Sequence, residues 1–174
     1  VLTFVLASLA VLILDYLTGG YTTEKCFSVY RSSLADFWTY PRFVLHVLGH
    51  NGYSHYINNM MIILVVGPPL EEKYGSWPLF WAMFLTALVS GMVHFLFFPG
   101  TMLLGASGIV FMMIAMSSLS GMKNGSIPIT LILVLTLYIG GEIVDGILLQ
   151  DNVSQLTHII GGICGALLGL SMRK

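Results

Sequence analysis

Charged residues are so scarce in this chain that water cannot be the solvent for most of its surface. Asp, Glu, Lys and Arg make up 9% of the 174 residues, against 56% apolar residues. A globular chain carries roughly 25% charged residues. The mean hydropathy is +0.88, so lipid must face most of the surface. The formal net charge is −1 with no basic stripe, and the electrostatic footprint of a nucleic-acid binder is missing. Cys26 falls in a polar loop and Cys164 deep in an apolar segment, so the two do not make a disulfide framework.

A bilayer core calls for about 20 apolar helical residues per span. Six segments qualify, some of them short: about 1–17, 54–70, 77–97, 107–120, 127–147 and 154–171. The expected fold is therefore an all-α integral membrane protein, a six-helix bundle forming one domain over 1–174. The first run lacks the basic n-region of a signal peptide and reads as a first span trimmed at its cytosolic end. A large loop, 18–53, follows it and holds Lys25, Arg31, Asp36 and Arg42 with the interfacial aromatics Trp38, Tyr40 and Phe43. Span two is expected to stop at Pro68–Pro69 and the charged triplet Glu71-Glu72-Lys73.

The distribution of cationic residues orients the bundle. With the amino end in the cytosol, Lys73, Lys123, Arg173 and Lys174 lie inside, and Lys25, Arg31 and Arg42 lie outside. Spans two, four and six then run in the same direction. Each carries polar residues near its start: His55 and Asn59, Ser107, and His158. Span four covers about 14 residues, roughly 21 Å of helix, too short to cross unless it begins inside the membrane. The apolar stretch 99–106 before it can dip in as irregular backbone, which is tolerated at depth only where it is buried in protein or lines a cavity.

Gly105-Ala106-Ser107-Gly108 puts a serine at a helix start between small residues. Free N–H groups there could stabilise an oxyanion in acyl transfer, although the same residues also fit an ordinary N-cap serine. His158, with no adjacent charge, is a histidine within a span and hence a candidate functional group. Burial favours the neutral imidazole that a base for serine requires; a structural, hydrogen-bonded histidine is the other reading. Gly161, Gly165 and Gly169 follow at four-residue steps, a smooth face that admits a second helix closely. His55 and Asn59 share a helix face, and both can donate to an oxygen anion. His46 and His50 have the spacing of zinc ligands on a helix, but no HExxH pattern and no nearby cysteine or carboxylate accompany them, so no metal is expected. His94, among phenylalanines, reads as structural. No acid lies beside His158, which favours a Ser-His dyad over a triad; Glu142 and Asp145 read as interfacial or gating.

Together these residues resemble the rhomboid family of intramembrane serine proteases. Gly105-Ala106-Ser107-Gly108 is similar to its GxSG motif, and His158 with Gly161 and Gly165 to its HxxGxxxG motif. His55 to Asn59 is similar to HxxxN, and Gly67, Glu71 and Gly75 to GxxxExxxG. The resemblance implies Ser107 as nucleophile and His158 as general base, with an oxyanion hole of His55, Asn59 and the Ser107 N–H. It implies supporting roles for Gly105, Gly108, Phe111, Gly161, Gly165, His50, Arg42 and Glu71. Phe111 matches the aromatic position that packs on the catalytic imidazole, and Arg42 would brace a half-submerged first loop. Pro41 precedes Arg42 where the family often has tryptophan, and the nearest tryptophan here is Trp38.

The function implied is endoproteolysis of transmembrane protein substrates in the lipid bilayer, without cofactor. The alternative is a rhomboid-like pseudoprotease that binds membrane proteins without cutting them. A transporter is disfavoured, because the polar groups cluster near one face and supply no through-path. A bacterial plasma membrane, with the site opening toward the outer face, is the expected location.

Overall fold

The computed structural model describes residues 1–121 and 152–172, with side chains left undescribed at 120, 121 and 152–156. The expected fifth span, 127–147, and with it Glu142, Asp145 and Lys123, lies outside the described residues. So do Arg173 and Lys174. The helices, in chain order, are α1 (Leu2–Leu17), α2 (Tyr21–Cys26), α3 (Thr39–Leu45), a 3₁₀ turn (His46–Leu48), α4 (Gly52–Tyr74), α5 (Ser76–Phe97), α6 (Ser107–Gly121) and α7 (Asn152–Ser171). Among the described residues there is no β-strand; Val29 and Leu103 form an isolated antiparallel bridge.

One described helix, Ser76–Phe97, is by itself long and apolar enough to cross a membrane. Leu2–Leu17, Ser107–Leu119 and Thr157–Ser171 are shorter apolar helices. Contrary to expectation, Pro68 and Pro69 do not end α4, which runs through them to Tyr74. Each proline deletes one N–H bond, yet neighbouring packing keeps the helix: a Cβ on Gly67 would meet the Val1 side chain at 2.8 Å, and Leu70 is fully buried. The chain turns instead at Gly75, whose φ of 89° suits glycine.

The core is organised around α6. Ile109, Val110, Met112, Met113, Ile114 and Met116 are all buried, while Ser107, Phe111 and Ala115, which share one face at four-residue steps, are half-buried. The helix's most extensive partner is α7, followed by α4 and α5. The reason is the glycine ladder on α7. A Cβ on Gly161 would fall on the Gly108 carbonyl oxygen, one on Gly165 on the Met112 carbonyl oxygen, and one on Gly169 within 3.4 Å of the Met116 Cα. The pairings rise in step along both chains, so α6 and α7 run parallel with their backbones in contact.

The first loop is folded, and it leans on α5. A Cβ on Gly91 would strike the Phe43 backbone, so α3 lies directly against α5. Arg42 is buried and ties the loop together. Its Nε donates to the Lys25 carbonyl at 2.7 Å, its guanidinium reaches Asp36 Oδ2 and Ser32 Oγ at 3.4 Å each, and it stacks over the Tyr30 ring.

Because the α6–α7 contact is made by backbone, it tolerates no side chain. Gly165→Leu is expected to destabilise the protein in detergent by about 1–3 kcal/mol or more, the usual cost of overpacking. Gly162→Leu, where a Cβ meets nothing within 4 Å, is expected to leave the thermal unfolding midpoint unchanged. Equal effects of the two substitutions would contradict this packing.

Candidate active site

Ser107 is the first residue of α6 and is half-buried. The first N–H groups of a helix have no carbonyl one turn back, and the helix dipole favours negative charge there. Within α6 the ladder begins with the Val110 N–H donating to the Ala106 carbonyl at 3.0 Å, which leaves the amides of Ser107 and its neighbours at the open end. The approach to this end is a built loop. Val29 and Leu103 exchange two backbone hydrogen bonds of 2.9 Å, and the Gly105 N–H donates to the His46 carbonyl at 3.0 Å. His94 Nε2 donates to the Thr101 carbonyl at 3.1 Å. Gly105 has φ 115°, a conformation open to glycine alone among the ordinary residues.

His158 is buried on α7. Its ring lies flat on Phe111, with centroids 4.3 Å apart and planes 14° apart. Phe111 stands one turn beyond Ser107 on the same face of α6. Thr157 packs on that helix too, since a Cβ on Gly108 would lie 3.1 Å from its Cγ2. At the Gly108–Gly161 contact, Ser107 directly precedes Gly108 on α6 and His158 lies one turn before Gly161 on α7.

α4 contributes from the opposite side. The His55 imidazole abuts Gly105: a Cβ there would lie 2.6 Å from Cε1 and 2.7 Å from Nε2. Its Nδ1 accepts the Asn51 N–H at 3.3 Å. Asn59 is buried, with Nδ2 donating to the His55 carbonyl at 2.9 Å, whereas Asn58 is exposed. Thus Gly105, Ser107, Gly108, Phe111, His158, Gly161, His55 and Asn59 form one neighbourhood. His50 belongs to it through His55, the two rings meeting edge-on at 5.1 Å. Gly165 lies one turn further along the same contact. Arg42 and Glu71 lie elsewhere, the first inside the loop and the second at the far end of α4, where its Oε2 accepts from the Val1 nitrogen at 2.9 Å.

Sequence reasoning missed the fastening of the 98–106 loop by Val29, His46 and His94. Backbone carbonyls and a bridge between distant residues leave no motif to find. His46 and His50 also do not share a helix face. The 3₁₀ turn ends at Leu48, and each ring serves a local carbonyl, His46 Nδ1 donating to Arg42 and His50 Nδ1 to Leu48.

Comparison with known proteins places this geometry in context. A family model described as Rhomboid domain matches residues 37–174. The chain is also 31% identical over 138 residues to Rhomboid-related protein 1 of Caenorhabditis elegans, covering 74% of this chain and 38% of that protein. The chain thus spans well under half the length of that relative.

His46 and His50 lie in the connection between α3 and α4, and burial depresses both. Desolvation lowers each to about 4, opposed by their carbonyl hydrogen bonds and reinforced by the nearby imidazoles of His94 and His55 respectively. In the unfolded chain both titrate near 6.5. Between those values the unfolded state binds more protons, so stability falls as pH drops from 6.5 toward 4. The expected loss is roughly 3 kcal/mol apiece at the acid limit. Chemical unfolding in detergent at stepped pH should show it, with a flatter profile for His46→Gln and His50→Gln; a profile unchanged in both variants would contradict it.

Proposed function

The chain belongs to the rhomboid family, whose members are embedded in membranes, and on that premise we propose that it is an intramembrane serine endopeptidase. The observation that carries this reading is the stacking of His158 on Phe111 beside the Gly108–Gly161 contact. It seats an imidazole over the helix face that begins with Ser107. On this proposal residues 1–174 form one six-span domain, and 127–147 is the fifth span. The site opens toward the outer face, as the cationic residues favour.

In the proposed reaction Ser107 Oγ attacks the carbonyl carbon of a peptide bond in or near a substrate's transmembrane segment. His158 takes the hydroxyl proton as the C–O bond forms. The carbonyl oxygen becomes an oxyanion, held by the Ser107 N–H, His55 and Asn59. Collapse breaks the C–N bond, and the imidazolium gives its proton to the leaving amine. Water then enters, loses a proton to His158 and releases the acyl group, restoring the serine. No cofactor takes part.

The test uses the purified chain in liposomes with a panel of transmembrane substrates. Ser107→Ala and His158→Ala are expected to lower kcat by about 10⁴-fold or more, and Asn59→Ala by about 10²–10³-fold. A fluorophosphonate probe should label wild type and not Ser107→Ala. Cleavage that persists in Ser107→Ala would overturn the nucleophile. Absence of both labelling and cleavage in wild type would mark a protein that binds membrane segments without cutting them.

A further inference from the structure

We propose that the inverse γ-turn His50-Asn51-Gly52 is a positioning device that fixes the tautomer of His55 through the backbone N–H of Asn51. The inference rests on the oxyanion role proposed above and adds what makes that role possible. A neutral imidazole has one nitrogen that donates and one that accepts. If Nε2 carries the proton, His55 offers a donor to an oxyanion; if Nδ1 carries it, the same ring presents a lone pair and repels the charge. The tautomer therefore decides the sign of the interaction.

The surroundings choose it. Asn51 has φ −80° and ψ 73°, the inverse γ-turn minimum, and the Gly52 N–H closes that turn on the His50 carbonyl at 3.0 Å. This leaves the Asn51 N–H free of the turn and directed at His55 Nδ1, 3.3 Å away. A backbone N–H can only donate, so Nδ1 must accept and the proton sits on Nε2. Nε2 is the ring nitrogen that abuts Gly105, two residues before Ser107. On the other side the ring is held by His50, itself anchored by its bond to the Leu48 carbonyl. The turn continues directly into α4 because Gly52, with φ 83°, takes a backbone conformation that other residues rarely adopt.

Two substitutions at one position separate backbone from side chain. Asn51→Pro keeps a φ that proline favours and keeps the turn, whose hydrogen bond does not use residue 51's nitrogen, but it deletes the donor. Asn51→Ala keeps the donor and removes only a side chain that makes no capping bond. In the full chain with ¹⁵N-labelled imidazoles, His55 being assigned by its loss in His55→Gln, wild type and Asn51→Ala should show protonated Nε2 and bare Nδ1. Asn51→Pro should show a substantial Nδ1–H population. In substrate cleavage Asn51→Pro is expected to lower kcat about tenfold, within the worth of one oxyanion donor, with KM within about twofold. It should cost nothing further in the His55→Gln background.

A wild-type His55 protonated on Nδ1, or losses from Asn51→Pro and His55→Gln that multiply, would overturn the proposal. Where Asn51→Pro does not fold, the nitrogen spectra of wild type and Asn51→Ala decide the proposal, which a protonated Nδ1 on His55 in either would overturn. The nitrogen spectra do not depend on proteolysis. A chain that cleaves nothing would remove the protease reading, and the tautomer would still be decided.

Discussion

The contact on which this structure depends is backbone against backbone, Gly161 of α7 on the carbonyl of Gly108 in α6. Lipid supplies no hydrophobic drive to bring two apolar helices together, so association rests on close packing. The contact repeats with Gly165 on Met112 and Gly169 near Met116, one turn apart on both helices. A parallel pair held this closely has little freedom to slide or rotate. Whatever stands at the start of each helix is then placed with the precision of a main chain rather than of a flexible side chain. Ser107 stands at the start of α6, His158 stands one turn before Gly161 on α7, and its imidazole lies flat on Phe111.

The second constraint is the obligation to pair backbone polar groups away from water. The loop before α6 would carry such groups into the membrane unpaired. Three distant elements answer this: Val29 from the first loop, the His46 carbonyl from the 3₁₀ turn, and the His94 ring from α5. The first loop is held in turn by Arg42, whose Nε bonds the Lys25 carbonyl and whose charge meets Asp36. The first loop and α6 therefore form one unit. A change in the first loop reaches Ser107 through Val29–Leu103 and through the His46–Gly105 bond, without touching any proposed reacting group.

Where apolar runs meet polar punctuation, element positions were legible in the sequence. The described helices at 2–17, 76–97 and 107–121 follow the expected spans within a few residues. The glycine ladder after His158 was legible for the same reason, since only the smallest residue repeats at that spacing for packing. Pro68–Pro69 misled because local propensity favours a break, whereas packing around Gly67 and Leu70 carries α4 to Tyr74. The neighbourhood of His55 and Ser107 could be placed at a common depth but not in contact. That contact depends on a hydrogen bond from Gly105 to His46, and a carbonyl has no residue signature. The γ-turn at Asn51 was hidden likewise, because it acts through main-chain atoms that any residue but proline would supply.

The histidines of this site share a physical logic. A site within lipid cannot hold isolated charge cheaply, yet it must orient polar groups firmly. A neutral imidazole does both, being a rigid ring with one donor and one acceptor whose roles its partners assign. His46 and His50 each give the Nδ1 proton to a carbonyl, and His94 gives its Nε2 proton to Thr101. His55 is the inverse of His46 and His50: it receives a backbone proton at Nδ1 and so must donate from Nε2. Depression of His46 and His50 to about 4 keeps the two rings nearest this cluster uncharged at neutral pH. On the proposed mechanism, an imidazolium formed on His158 would then meet no competing cation from them. The ring fixed on Phe111 is left as the one proposed to change its charge.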